Sequence, residues 1–105
     1  MEHKPKLSKD AIEKKLLFLR KQRDGLIIGC YRGILSRIYN QIETLCDNND
    51  NACDIADLLN ALGASTLRDK SVTINYCLDL EQIGCIVLSD SRVELVKNID
   101  FWFLY

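Results

Sequence analysis

Residues 52–63 read Ala-Cys-Asp-Ile-Ala-Asp-Leu-Leu-Asn-Ala-Leu-Gly, and the reading of this stretch decides the fold. Ile55, Ala56, Leu58, Leu59 and Leu62 recur at three-to-four intervals, the period of a helix that buries one face. Asn51 is placed to cap it, Asp54 falls in a first turn where the helix dipole favours an anion, and Gly63 stops it. The spacing therefore predicts a helix over 52–62. After a polar connection, Ile74, Cys77, Leu78, Leu80 and Ile83 set out a second apolar face that closes at Gly84. This predicts a helix starting at 66 or 71, capped by Ser65 or Ser71, and running to 83. Residues 85–96, Cys-Ile-Val-Leu-Ser-Asp-Ser-Arg-Val-Glu-Leu-Val, form two β-prone runs around the turn formers Ser89, Asp90 and Ser91. That is a hairpin pattern.

Upstream, Ile27, Tyr31, Ile34, Ile38, Ile42 and Leu45 make the cleanest periodicity in the chain, widened by Leu35 and Tyr39. They predict a core helix over 26–46, ended by the polar run 47–51. Before it, Ser8 is the expected cap of an amphipathic helix over 8–24. Ile12, Leu16 and Leu19 line one side, and Lys14, Lys15, Arg20, Lys21 and Arg23 the other. A basic face like this is ordinarily solvated; its functional use would be phosphate or an acidic partner. Between the two helices, Gly25, Gly29 and Gly33 recur every four residues. The chain is expected to turn near Asp24 and Gly25, with Gly29 and Gly33 making room for neighbouring side chains; a dimer seam is the alternative. Residues 1–7 read as a flexible tail. Residues 97–105 end in Phe101, Trp102, Phe103, Leu104 and Tyr105, a sticky patch unless folded back or packed on another subunit.

Over roughly residues 33–97 this order of elements resembles the winged helix-turn-helix superfamily. The matching features are Ile55 to Gly63 and the exit from helix to hairpin at Leu80 to Val87. The expected fold is α+β and mostly helical, a winged helix-turn-helix with an additional N-terminal helix and a C-terminal two-stranded wing. It forms one domain over 8–105. In that superfamily the second helix of the motif enters the major groove and the hairpin touches the neighbouring backbone or minor groove. Carried over by position, the helix offers Lys70, Ser71, Thr73, Asn75 and Tyr76, and the wing offers Arg92. Asn75 can bond an adenine edge through two hydrogen bonds, and Arg68, Lys70 and Arg92 can contact phosphates. Lys14, Lys15 and Lys21 of the basic helix are further candidates. The resemblance implies a small transcriptional regulator that binds duplex DNA. A homodimer is expected separately, because the N-terminal helix and the Phe101 to Tyr105 tail leave apolar surface once the core is closed, and a two-fold dimer is the commonest way to bury it.

Charge works against that implication. Residues 1–46 carry ten Lys and Arg against five Asp and Glu, whereas residues 47–105 carry four against ten. DNA affinity draws heavily on cations that neutralise phosphate. Yet Asp69, Asp79 and Glu81 lie in or beside the reading helix, and Asp90 sits at the wing tip. The alternative is a protein-interaction module, an adaptor or inhibitor that offers an acidic docking face to a basic protein partner.

An enzyme is not expected. The single histidine, His3, lies in the tail, so neither a Ser-His nor a Cys-His pair is available within a structured element. No phosphate-cradling or dinucleotide fingerprint is present. Asp54 and Asp57 read as the solvent face of their helix. The five cysteines, at 30, 46, 53, 77 and 85, contain no Cys-x-x-Cys, so no structural metal and no cofactor are expected. Most read as small buried hydrophobes. Cys46 and Cys53 flank the 47–51 loop and would bridge only under oxidation. No run approaches the roughly 18–20 apolar residues of a membrane span. Ile27 to Cys30 resembles a lipoprotein cleavage box, but basic residues rather than an apolar segment precede it, so a cytoplasmic chain is expected.

Overall fold

The computed structural model describes residues 9–23, 27–46 and 51–96. The expected tails at 1–7 and 97–105, the Ser8 cap, the turn at Asp24 and Gly25, and residues 47–50 of the polar loop lie outside them. The elements run α1 (Lys9–Lys21), α2 (Ile28–Cys46), β1 (Ala52–Asp54), α3 (Ile55–Ala61), α4 (Leu67–Gln82), β2 (Ile86–Ser89) and β3 (Arg92–Leu95). The protein is α+β and mostly helical, with one antiparallel sheet in the order β1-β3-β2.

Helix α2 is the centre. It packs against α1, α3, α4 and strands β1 and β3. Its buried side is Tyr31, Leu35, Ile38, Tyr39, Ile42 and Cys46. The face is rotated from the expected stripe: Leu35 and Tyr39 lie at its centre, Ile34 and Leu45 are half-buried, and Ile27 is 72% exposed ahead of the helix. Gly29 and Gly33 make room for nothing, because a methyl group at either would meet no atom within 4 Å. Both are exposed. Helix α1 lays Ile12, Leu16 and Leu19 into the same core, with Asp10 in its first turn and Arg20 and Lys21 in its last, matching the helix dipole.

The stretch 52–62 is not one helix. Asn51 takes a left-handed φ of 66°, and three extended residues follow before the helix begins at Ile55. Ala52, Cys53 and Asp54 pair with Glu94, Val93 and Arg92, turning the expected two-stranded wing into a three-stranded sheet. The Leu95 amide donates to the Asn51 carbonyl at 2.8 Å, and the Ile55 amide to Ser91 at 2.7 Å, so the pairing continues past both ends. Asp54, not Asn51, holds the N-cap position of α3, and its side chain makes no capping bond.

Helices α3 and α4 end alike. The Gly63 amide donates to Asn60 and the Ala64 amide to Leu59; the Gly84 amide donates to Glu81 and the Cys85 amide to Leu80. These are paired Schellman bonds, and they require φ of +74° at Gly63 and +89° at Gly84, which only glycine adopts without strain. The cap of α4 is Thr66 rather than Ser65 or Ser71: its hydroxyl accepts from the Asp69 amide at 3.0 Å. In the hairpin, Ile86 faces Leu95 and Leu88 faces Val93 on the core side, while Val87, Ser89, Arg92 and Glu94 point outward. Asp90 makes the turn with a φ of 49°. Among the described residues no helix is long and apolar enough to cross a membrane.

Candidate functional site

The inner side of α4 carries Cys77, Asp79 and Leu80. Its outer side is set by the helical period: Arg68, Ser71, Val72, Asn75, Leu78 and Gln82 are all exposed. Lys70 is exposed on the first turns, and Thr73 and Tyr76 are half-buried at the flanks. Arg92 is exposed on β3, directly opposite Asp54 in the sheet. The structure thus gathers Arg68, Lys70, Ser71 and Asn75 on one helix and stands Arg92 on the hairpin.

The basic residues of α1 are placed otherwise. Lys15 donates from Nζ to the Gln82 carbonyl at 2.9 Å, at the negative end of the α4 dipole. Twelve residues of helix separate that point from Lys70, about 18 Å at 1.5 Å per residue. Lys14 and Lys21 are exposed on the outer side of α1.

Arg23 belongs to no solvated face. Its Nε and Nη2 donate to the two carboxylate oxygens of Asp79 at 2.9 and 2.8 Å, a bidentate ion pair. The Tyr31 hydroxyl donates to Asp79 Oδ2 at 2.9 Å. Arg23 Nη2 also reaches the Asn75 carbonyl at 3.4 Å, and the guanidinium lies 5.8 Å from the Tyr76 ring centroid. The rings of Tyr31 and Tyr76 are 6.2 Å apart. Asp79 is 2% exposed, so its charge is spent inside the molecule. The hydrogen bond to Asp79 raises the Arg23 pKa, while burial, then the bond to Asp79, holds the Tyr31 hydroxyl well above the usual tyrosine range. Glu81 is turned inward too: its Oε2 accepts from the Leu88 amide at 2.8 Å and ties α4 to β2.

Two of the four acidic residues that opposed DNA binding are therefore held in internal bonds. Asp69 remains exposed beside Lys70, and Asp90 at the hairpin turn. Sequence reasoning missed the Arg23–Asp79–Tyr31 group because its members lie on separate elements and each reads as an ordinary surface or core residue. It also placed Leu78 in the core, where it is 42% exposed, and passed over Leu67 and Val72, which are 86% and 45% exposed.

Cys46, Cys53, Cys77 and Cys85 are buried thiols outside any disulfide, and Cys30 is exposed. Burial pushes the thiols of Cys53, Cys77 and Cys85 up to about 12, away from the reactive thiolate. Among the described residues no group of His, Cys, Asp and Glu is arranged to hold a metal ion. Comparison of the chain with protein-family models, with curated proteins and with solved structures gives no match.

Proposed function

We propose that this chain is a winged helix-turn-helix regulator of transcription that binds duplex DNA, with α4 as the reading helix and the β2–β3 hairpin as the wing. The observation that supports the reading most is the outer face of α4. It is exposed, it carries Arg68, Ser71, Val72 and Asn75 in a row, and Asp79 and Glu81 are bonded on other sides. The element order from α2 through β3, with β1 closing the sheet against β3, suits the same reading.

In this reading the N-terminal half of α4 lies in the major groove. Asn75 bonds an adenine edge, Val72 packs on a thymine methyl, and Ser71 and Thr73 make adjustable contacts. Arg68, Lys70 and Arg92 neutralise phosphates. Lys15, tied to the far end of α4, is not among them. Three phosphate contacts give a dependence of log affinity on log salt of about −2.7 per protomer.

Fluorescence anisotropy with duplex DNA at two salt concentrations tests it. Asn75→Ala should weaken a selected sequence by about 1–3 kcal/mol and leave random duplex unchanged. Arg68→Ala or Arg92→Ala should weaken both and reduce the salt slope by about 0.9. No measurable affinity near physiological salt would end the reading. The second reading, an acidic docking face for a basic protein, would then take its place; Asp54, Asp57, Asp90 and Glu94, all exposed, favour it.

A further inference from the structure

We propose that the outer face of α1 pairs with the same face of a second copy of this chain, antiparallel about a two-fold axis between residues 15 and 16. The inner stripe of α1, Ile12, Leu16 and Leu19, is buried in the core. The outer stripe is Asp10, Lys14, Leu17 and Lys21, at intervals of four, three and four, with Phe18 beside it. Leu17 is 45% exposed and Phe18 61%. Closure of the core uses neither of them. Asp10, Lys14 and Lys21 are exposed and have no ion-pair partner among the described residues.

The charges and the exposed apolar residues together select one arrangement of two such helices. With the axis between 15 and 16, each residue faces the one whose number complements it to 31. Asp10 then meets Lys21 of the partner subunit, twice by symmetry, and the aliphatic stem of Lys14 lies over the partner's Leu17. Sliding the axis to between 17 and 18 sets Lys14 against the partner's Lys21. A parallel pair sets every charge against its own kind. Centring the axis on residue 12 also sets Asp10 against Lys14 of the partner subunit, but Leu17 and Phe18 then face positions ahead of α1. The register between 15 and 16 is therefore the one that both opposes unlike charges and keeps the exposed apolar residues within the helix pair. A helix pair of this length, about 20 Å, sits at the small end of interface sizes, so the dimer should be of micromolar strength. The seam uses neither α4 nor the hairpin and stands whether or not those elements bind DNA.

Analytical ultracentrifugation of the full chain from 1 to 200 μM tests the pairing, with circular dichroism to verify that each variant is folded. The native chain should dimerise in that range, and Phe18→Ser, a change on the surface, should abolish it. Asp10→Lys and Lys21→Asp each turn two attractions into two repulsions and should weaken the dimer by about tenfold. The double variant Asp10→Lys/Lys21→Asp should recover native affinity to within about threefold. Each single swap also opposes the α1 dipole, and that local cost adds in the double variant, so recovery cannot come from helix stability. A monomer at 200 μM, an unaffected Phe18→Ser dimer, or a double swap weaker than either single one would overturn the proposal.

Discussion

Asp79→Ala removes the acceptor at the centre of the Arg23–Asp79–Tyr31 group, and its cost follows from what is left behind. Tyr31 is fully buried and loses the partner of its hydroxyl. An unsatisfied buried hydroxyl costs about 1–3 kcal/mol. Arg23 loses two charge-assisted bonds, but its side chain is 18% exposed and regains part of that from water. Alanine in a helix interior returns up to about 0.7 kcal/mol over aspartate. The balance is a loss of about 3 kcal/mol, within the range for breaking a buried ion pair from one side. That is a large part of the roughly 5–15 kcal/mol that stabilises a domain.

Urea unfolding followed by circular dichroism measures it, with a shifted midpoint and an unchanged slope as the sign that stability alone has altered. The informative comparison is Arg23→Met/Tyr31→Phe/Asp79→Leu. Replacing the whole group by apolar residues leaves no orphaned partner, so this triple variant should recover most of the loss of the single one. A cost below about 1 kcal/mol for Asp79→Ala, or a triple variant as unstable as the single, would refute the account.

Leu35 is fully buried at the middle of α2 and Ile38 is 5% exposed, so Leu35→Ala and Ile38→Ala should each cost about 2–5 kcal/mol in the same urea assay; a change under about 0.5 kcal/mol would remove α2 from the centre of the core. Stability should also fall in alkali: Cys53, Cys77 and Cys85 keep their protons in the folded chain to about 12 while the unfolded thiols lose theirs near 9, so their contribution is complete below pH 9 and is lost between pH 9 and 12. Each thiol adds about 1.4 kcal/mol per pH unit to that slope, and unfolding curves at pH 9 and 10 that superimpose would show these thiols to be accessible in the folded state.

What the sequence made legible was whatever repeats or punctuates locally. Gly63 and Gly84 follow apolar helical runs and stop them, and Ile12, Leu16 and Leu19 mark one side of α1 over about two turns. Thr66 is as legible a cap as Ser65 or Ser71: it stands three residues before Asp69, whose amide its hydroxyl accepts from. Strand β1 was not legible, because three residues show no period and the partner strand lies some forty residues later. Its inward side chain, Cys53, fits a helix as readily as a strand until Val93 lies across from it. The rotation of α2 has a similar cause. With apolar residues at 31, 34, 35, 38, 39 and 42, the stripe is wide enough to hide its own centre, and the packing of α1, α3 and α4 decides where that centre falls.

Charge is where counting and placement diverge most, and the divergence bears on function. A tally by halves sets a basic N-terminal helix against an acidic remainder and makes α4 a poor candidate for meeting phosphate. Placement changes both sides of that comparison. Arg23 leaves the basic surface and Asp79 leaves the acidic one by the same bidentate bond, across 56 residues of sequence. Lys15 leaves by bonding the end of α4, and Glu81 by holding the Leu88 amide. Near the start of α4 the exposed charges are then Arg68, Asp69 and Lys70, a balance of one positive charge, while the hairpin sets exposed Arg92 against exposed Asp90 and Glu94, a balance of one negative charge. A field of that size steers and holds only weakly, since affinity grows with each neutralised phosphate. Two copies would double the number of such contacts on one duplex, which is why the α1 seam and the α4 face are best measured together. In the charge-swapped α1 variants, loss of dimer should carry a matching loss in the salt slope of DNA binding, and the double swap should restore both.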